Sequence, residues 1–276
     1  MVGNRYEKGP ANCRKNIQSG EIMDNAFKCM IRPLIVGAGR SKEKRYFDDE
    51  PIIIGACPRS GTTLLLSILD AHPHIYGIQN QTYAFTVWDN GGQPIRLDRL
   101  YRQFILHKIT PQKRRWCEKT PKNVQYFGHI QRYFGEKVKL IHMIRDGRDV
   151  VTSKHPRHTP DQYWVSVRRW ISDVKQGLAF AGHPNVYTLK YESLVHNYES
   201  EIQNLIHFLN EDMTAEISDW FHHTAVKKSK HWASPVQNLH GNAIGKWQKP
   251  EHRRRYEEFM ANNEAVELLQ QLEYEL

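Results

Sequence analysis

The chain has 276 residues, of which 39% are hydrophobic and 25% charged, and these proportions fit one globular α/β domain with a sizeable core. Its formal net charge of +9 favours anionic partners such as phosphates, sulfates, nucleic acid or acidic lipid headgroups. Neither zinc-finger spacing nor an aromatic RNA-binding motif accompanies this charge, so we expect no nucleic-acid partner. A small polyanionic ligand is enough to account for a basic cleft.

The cysteines and histidines carry no pattern that indicates a disulfide framework or a metal site. The four cysteines lack paired spacing and are predicted to be free thiols in a reducing, cytoplasmic environment: Cys13, Cys29, Cys57 and Cys117. No carboxylate or cysteine lies at zinc-site spacing from the histidines, so no metal is expected. Residues 26–38 are too short and too charged to predict a membrane span or a signal peptide.

Residues 1–49 are polar and mixed, and we expect them to form an N-terminal arm with one short helix near Ile22–Leu34. Residues 50–276 would then form the main domain. Two interpretations of the arm stay open. It packs against the domain or contacts a partner or a membrane surface, or it is a loosely ordered extension.

The stretch from Pro51 to Asp70 predicts a phosphate-binding loop. Three isoleucines, residues 52–54, indicate a buried strand, and Thr62–Leu69 has the apolar spacing of a helix buried on one side. A glycine-containing loop between them would aim the unpaired N–H groups of the first helical turn at an anion. The loop is not a Walker A motif, because Thr62 stands where that motif requires lysine and the positive charge comes earlier, at Arg59.

Further strands and helices alternate along the chain, which favours a three-layer α/β/α domain with a central parallel sheet. Strands are predicted at 74–78, 137–144 and 185–189, and helices at 97–109, 124–134, 161–181, 198–209, 215–221 and 264–272. Ligands of such sheets bind beyond the carboxyl ends of the strands. The polar motifs fall at these ends.

Arg145 and Ser153 are the second motif. The arginine ends a predicted strand, and the serine is expected eight residues later in the following helix, so both could reach one phosphate. A buried Arg–Asp pair that caps the helix is the structural alternative.

Together these residues resemble the sulfotransferases that use 3′-phosphoadenosine 5′-phosphosulfate (PAPS), in the branch with Pro-Arg-Ser-Gly-Thr-Thr loops, which includes the tyrosylprotein type. The match is good over residues 51–197 and loose over 240–250. The resemblance implies a P-loop-like fold, PAPS as the sulfuryl donor, 3′,5′-phosphoadenosine (PAP) as the product and no required metal. It further implies that the 5′-phosphosulfate is bound by Arg59, Ser60, Gly61, Thr62 and Thr63.

The resemblance assigns roles to residues outside the loop as well. Lys119, in Glu118-Lys119-Thr120-Pro121, matches a lysine beside the transferring sulfuryl group, although Thr120-Pro121 could simply begin a helix. Arg145 and Ser153 match the 3′-phosphate site. Tyr191 matches a tyrosine near the adenine, and Lys246 lies in a segment similar to one that closes over the nucleotide.

The position of the general base departs from the family pattern. Gln81 stands where related sequences have a glutamate, and an amide cannot accept a proton at neutral pH. Gln81 could still orient an acceptor hydroxyl. Glu118, His74 and His107 are the candidate substitutes, and the sequence does not rank them.

The sequence thus predicts a PAPS-dependent sulfotransferase that acts on a hydroxylated acceptor of unknown class. Two alternatives remain. One is a P-loop nucleotide kinase or hydrolase with an unusual loop, which would need Mg²⁺ and ATP. The other is a non-catalytic module that binds PAPS or another polyanion, which the basic charge and Gln81 suggest.

Overall fold

The computed structural model describes residues 19–154, 162–227, 236, 238–239 and 241–276, with side chains from residue 30 onward. Five parallel strands form one sheet in the order β2-β3-β1-β4-β5. They are β1 Ile52–Ala56, β2 Ile75–Gly77, β3 Arg115–Lys119, β4 Lys139–Ile144 and β5 Val186–Lys190. Helices cover both faces, so the predicted three-layer α/β/α class is confirmed.

Twelve α-helices lie in the described ranges. They are α1 Ser19–Tyr46, α2 Thr62–Ala71, α3 Leu97–Leu106, α4 Phe127–Phe134, α5 Gly147–Val151, α6 Val167–Leu178, α7 Tyr191–His196, α8 Tyr198–Phe208, α9 Ala215–Ser218, α10 Trp220–His223, α11 Arg253–Met260 and α12 Asn263–Gln271. None of these helices is both long enough and apolar enough to cross a bilayer.

Successive side chains along a strand point to opposite faces of the sheet. In β1, Ile52 and Ile54 point into a core with the apolar side of α2 and with α8, whereas Ile53 points into a core with α3 and α4. A third apolar cluster joins the end of β4 to α6, α11 and α12. All five residues of β1 are buried, which fixes the loop that follows it.

Several predicted boundaries differ from the structure. The helix expected over 124–134 begins with a 3₁₀ turn, Pro121–Tyr126, and the one expected over 161–181 begins only at Val167, where Ser166 caps it. Residue 161 itself lies outside the described residues. Strand β3, helix α7 and helix α11 were not predicted.

The helix in the N-terminal arm is longer than expected, since α1 runs from Ser19 to Tyr46. Its carboxyl half packs on α3, where Gly39 lies so close to Tyr101 that a Cβ atom would come within 2.1 Å of it. Glu43 accepts hydrogen bonds from the Tyr101 hydroxyl at 2.8 Å and from the Trp116 indole at 2.9 Å. These contacts tie α1 to the sheet through β3.

Candidate active site

The loop between β1 and α2, residues 57–61, lies at the carboxyl end of the central strand. Arg59 and Gly61 have positive φ angles of 76° and 91°, and turns of this kind often aim backbone N–H groups at an anion. A Cβ atom on Gly61 would lie 2.5 Å from the Tyr191 ring, so glycine is required there. The Ser60 hydroxyl is buried and has no hydrogen-bond partner among the described residues.

Lys119 reaches the loop from the neighbouring strand. It is the last residue of β3, in register with Ile54 of β1, and is only 1% exposed. Its Nζ donates to Thr63 Oγ1 at 3.1 Å, in the first turn of α2. Burial lowers the pKa of Lys119 from 10.5 to about 8. A desolvated ammonium in this position would gain from a nearby anion.

Arg145 approaches the loop from the other side, directly after β4. Its guanidinium donates to the backbone carbonyl of Arg59 at 3.0 Å and to that of Ala243. Its Cζ lies 4.6 Å from the centroid of the Tyr191 ring. Its buried Nε has no hydrogen-bond partner within the described ranges. An unpartnered buried donor is costly, and an anionic ligand would satisfy it.

Asp149 holds the segment that contains Lys246 against this end of the sheet. Its carboxylate accepts from the backbone N–H groups of Gly245 at 2.9 Å and Trp247 at 3.2 Å. Burial raises the pKa of Asp149. Burial also lowers the pKa of Lys246, and the positive charge of Arg145 lowers it further. The same Asp149 carboxylate forms an ion pair with Arg145 at 3.7 Å.

Ser153 belongs to the same neighbourhood but is placed differently from the prediction. It follows α5 and is not part of that helix, because α5 ends at Val151. Its hydroxyl donates to the Asp149 carbonyl oxygen at 2.7 Å. To donate to a phosphate, this hydroxyl would have to rotate away from that carbonyl.

Glu118 is fully buried and is surrounded by donors from the protein. Oε1 accepts from the Thr82 N–H at 3.1 Å, from its hydroxyl at 2.8 Å and from the Thr120 hydroxyl at 2.6 Å. Oε2 accepts from Asn123 at 2.7 Å. The carboxylate therefore fixes the segment around Thr82 to the end of β3, next to Lys119. The Thr120 side chain serves this network and does not cap the following 3₁₀ turn.

Gln81 directly precedes Thr82 and is half-buried. Its Oε1 accepts a hydrogen bond from the Tyr83 hydroxyl at 2.9 Å. Tyr83 has a φ of 53°, which is rare for a residue with a side chain, and its N–H donates to the Thr120 hydroxyl at 3.2 Å. The amide oxygen of Gln81 is thus already engaged with a phenol.

The two histidines considered as bases lie elsewhere. His74 precedes β2, at the amino edge of the sheet, and bonds to Glu211 at 2.8 Å, so it cannot serve the loop at the carboxyl edge. His107 follows α3, and its carbonyl accepts from Lys42 of α1.

One group of side chains, His72, His74 and Glu211, has potential metal-ligand atoms within 4.8 Å of one another. Its carboxylate is already paired with Arg115 at 3.0 Å and Arg114 at 3.5 Å. Two guanidinium groups next to the carboxylate oppose the binding of a cation, and we assign no metal to this group.

Sequence reasoning missed the groups that hold the site together. The only sequence signal for Asp149 was its position four residues after Arg145. No sequence motif indicated the contacts that Glu118 makes with Thr82, Thr120 and Asn123. Several residues that sequence reasoning singled out do lie together at the carboxyl edge. Arg145 and Tyr191 contact the loop 57–61, and Lys119 contacts Thr63, two residues after it. The segment of Lys246 joins them through Asp149.

Comparison with known proteins gives a consistent result. The sequence model of the sulfotransferase family matches residues 51–104 and 92–216, more than half of the chain. A Caenorhabditis briggsae protein provisionally named a protein-tyrosine sulfotransferase is 30% identical over 186 residues, 59% of this chain and 66% of that protein. Protein-tyrosine sulfotransferase 2 of Gallus gallus is 28% identical over 214 residues, 65% of this chain and 57% of that protein. The chain therefore spans about two thirds or less of these curated relatives.

A solved structure agrees on the fold. The sulfotransferase domain of the Synechococcus PCC 7002 olefin synthase superposes with a TM-score of 0.56 at 17% identity, covering 84% of this chain and 97% of that domain. Identity this low supports the fold alone. The extent of the family match, however, is decisive: the chain belongs to the sulfotransferase family.

Proposed function

We propose that this protein transfers a sulfuryl group from PAPS to an acceptor hydroxyl and releases PAP. The observation that carries the proposal is a pair of buried donors that have no hydrogen-bond partner among the described residues: Ser60 Oγ, within the loop, and Arg145 Nε, beside it. Lys119 contacts Thr63, two residues after the loop. Buried donors that lack a partner fit a ligand with phosphate or sulfate oxygens.

The 5′-phosphosulfate would be held by Arg59, the Ser60 hydroxyl and the backbone N–H groups of residues 61–63. Arg145 would hold the 3′-phosphate, with Ser153 after its hydroxyl rotates. Tyr191 would lie near the adenine, and Lys246 would add positive charge from the segment pinned by Asp149. Each assignment rests on the family resemblance and agrees with the positions of these residues.

PAPS supplies an activated sulfuryl group whose bridging oxygen gains negative charge as the sulfur–oxygen bond breaks. Lys119 and Arg59 would stabilise that charge as preorganised donors, and removing one such donor typically costs on the order of 2.7–4 kcal/mol in the barrier. The proposal requires no divalent metal, because Arg59, Lys119 and Arg145 already provide three positive charges.

A phenol is the acceptor that the site favours. Gln81 cannot remove a proton, and a phenol with a pKa of ~10 needs less help than an alcohol. The Gln81 amide oxygen already accepts from one phenol, that of Tyr83, so it is able to orient another. The names of the two curated relatives, which are protein-tyrosine sulfotransferases, agree with a tyrosine side chain as acceptor.

Glu118 would act as a positioning residue and not as the base. Protein donors occupy both of its oxygens, and the residue is 0% exposed, so an acceptor hydroxyl has no access to it. Its role would be to keep Lys119 and the segment of Gln81 at a fixed separation.

Thermal unfolding in the presence of ligands tests the donor site. We expect PAP to raise the melting temperature without Mg²⁺, since a ligand at a hundred times its Kd adds about 2.7 kcal/mol of stability. A shift with Mg·ATP and none with PAP would instead favour the kinase or hydrolase alternative. Transfer from PAPS is then assayed with p-nitrophenol and a tyrosine peptide. Binding of PAP without transfer to either acceptor would support the non-catalytic module.

A further inference from the structure

The chain segments that contain α1 and α3 are rich in basic residues. Residues 30–46 and 95–108 carry nine Lys and Arg side chains and only two acidic ones, in a chain whose formal net charge is +9. The two acidic groups already have partners, since Glu43 bonds to Tyr101 and Trp116, and Asp98 pairs with Arg96 at 3.0 Å. We call the exposed side of these two segments the α1–α3 face.

The same face exposes aliphatic side chains. Among the described residues ten large hydrophobic side chains are exposed, and half of them lie here: Met30, Leu34, Ile95, Ile105 and Leu106. Leu34 is 73% exposed and Met30 is 68% exposed. These two residues are four positions apart and therefore lie on one side of α1.

The same two segments also carry exposed cations. They are Arg40, Lys44, Arg45, Arg102 and Lys108. A surface of this composition fits an anionic lipid bilayer, where basic side chains meet the headgroups and aliphatic ones enter the boundary with the acyl chains. We propose that the α1–α3 face binds the surface of an anionic membrane.

Other occupants fit less well. The centre of a protein interface is usually depleted in charge, and in lysine above all, whereas cations are spread over this face. Protein surfaces that bind single-stranded nucleic acid commonly offer aromatic side chains on which the bases stack. The large exposed apolar side chains of the α1–α3 face are all aliphatic. Residues 1–18 carry four basic groups and one acidic group, so their charge does not complement the face. Membrane binding at this face is independent of the proposed transferase activity.

Vesicle flotation with the full chain tests this proposal. We expect binding to vesicles of phosphatidylcholine with 30% phosphatidylserine, weak binding to pure phosphatidylcholine, and release as the salt concentration rises. Lys44→Gln/Arg45→Gln/Arg102→Gln should lower the affinity on the order of a hundredfold, since each basic residue near the surface contributes roughly fivefold. Met30→Ser/Leu34→Ser should lower it about tenfold.

Matched variants on other surfaces provide the control. Lys137→Gln/Arg168→Gln/Arg253→Gln removes three exposed cations from other parts of the chain, and Met213→Ser removes an exposed methionine. The control with three charges changes the net charge equally and should bind vesicles nearly as well as the wild type. Equal losses in both charge variants would mean that net charge alone attracts the protein, and the proposal would be wrong.

Two further results would overturn the proposal. The first is dimerisation through the α1–α3 face. Light scattering without lipid would then show a dimer for the wild type and a monomer for Met30→Ser/Leu34→Ser. The other is tight binding of a single-stranded oligonucleotide that the α1–α3 variants lose, with no binding to vesicles. Thermal unfolding of each variant establishes that it is folded.

Discussion

Lys119 Nζ and Thr63 Oγ1 lie 3.1 Å apart, and this contact joins the end of β3 to the first turn of α2. The lysine is 1% exposed, so its charge acts in a region from which water is largely excluded. Burial lowers the pKa of Lys119 to about 8, which means that the group titrates close to physiological pH. Both the activity and the stability of the protein should report this titration.

The kcat/KM of the enzyme, which reports the protonation state of the free enzyme, should fall as the pH rises above about 8. Lys119 must carry its proton to stabilise developing negative charge, and that proton is lost above its pKa of about 8. The bound donor is a polyanion and should raise this pKa, so the decline in kcat should lie at higher pH than the decline in kcat/KM. Lys119→Arg, which stays charged, should remove the alkaline decline, and Lys119→Met should lower kcat on the order of 10²–10³-fold. A wild-type profile that Lys119→Arg leaves unchanged would assign the titration to another group.

The stability should change in the opposite direction over the same pH range. Between about pH 8 and 10.5 the unfolded chain binds the Lys119 proton more tightly than the folded protein does. The free energy of unfolding should therefore gain a rising contribution from Lys119 with pH in this window. Urea unfolding of the wild type and of Lys119→Met at pH 7.5 and pH 9.5 measures it. From pH 7.5 to pH 9.5, the change in the free energy of unfolding should be less favourable to stability in Lys119→Met than in the wild type.

Arg145→Ala should weaken PAP binding more than tenfold and also lower the stability. The guanidinium donates to the Arg59 and Ala243 carbonyls, so its loss leaves these groups unpaired even without ligand. Arg115 is the matched control, because it is also buried and donates to a carbonyl, that of Leu209, at 2.8 Å, but it lies at the amino end of β3. Arg115→Ala should lose stability and keep the PAP-induced thermal shift. If the two variants lose the shift equally, Arg145 has a structural role only.

How far the sequence predicts this fold depends on the kind of residue in each element. Strands β1 and β4 were predicted because a β-branched apolar run such as Ile52–Ile54 is typical of a buried strand. Strand β3 was missed because its residues, Arg-Trp-Cys-Glu-Lys, carry three charges and are nonetheless all buried. Those charges are buried because Glu118 and Lys119 belong to the site and Arg115 to an ion pair with Glu211. Local patterns tend to fail where function requires buried charge.

In the candidate site, too, the sequence predicted some residues and missed the contacts that support them. The loop and Arg145 were found because short motifs place them at the ends of predicted strands, whereas Lys119 was found only through the family resemblance of its segment, since β3 was not predicted. Their supporting contacts were not found, since the bonds from Thr82 to Glu118 and from Gly245 to Asp149 join segments that are far apart in sequence. The orientation of Ser153 toward the Asp149 carbonyl likewise depends on where α5 ends, and helix ends are the least predictable part of a helix.

Asp149→Asn should loosen the segment around Lys246 and weaken PAP binding through it. The carboxylate accepts from two backbone N–H groups, those of Gly245 and Trp247, and an amide can replace only one of these acceptors. Hydrogen exchange at these two amides should quicken, with a stability loss of about 1–3 kcal/mol. Asp98→Asn, which disrupts a part-buried ion pair with Arg96 at the start of α3, should change neither the exchange nor PAP binding. Unchanged exchange in Asp149→Asn would show that other contacts hold the segment.

Gln81→Glu should convert a site without a general base into one that has it. The new carboxylate would keep the hydrogen bond from the Tyr83 hydroxyl, because a carboxylate oxygen accepts as an amide oxygen does. General-base catalysis typically contributes 10²–10⁴-fold, and the gain should be largest for alcohol acceptors, whose protons are the hardest to remove. Transfer rates from PAPS to an alcohol and to a phenol, measured for the wild type, Gln81→Glu and Gln81→Ala, test this. Gln81→Ala should lose activity toward the phenol, because it can no longer orient the hydroxyl. If Gln81→Glu accelerates neither acceptor, the acceptor hydroxyl does not bind beside residue 81.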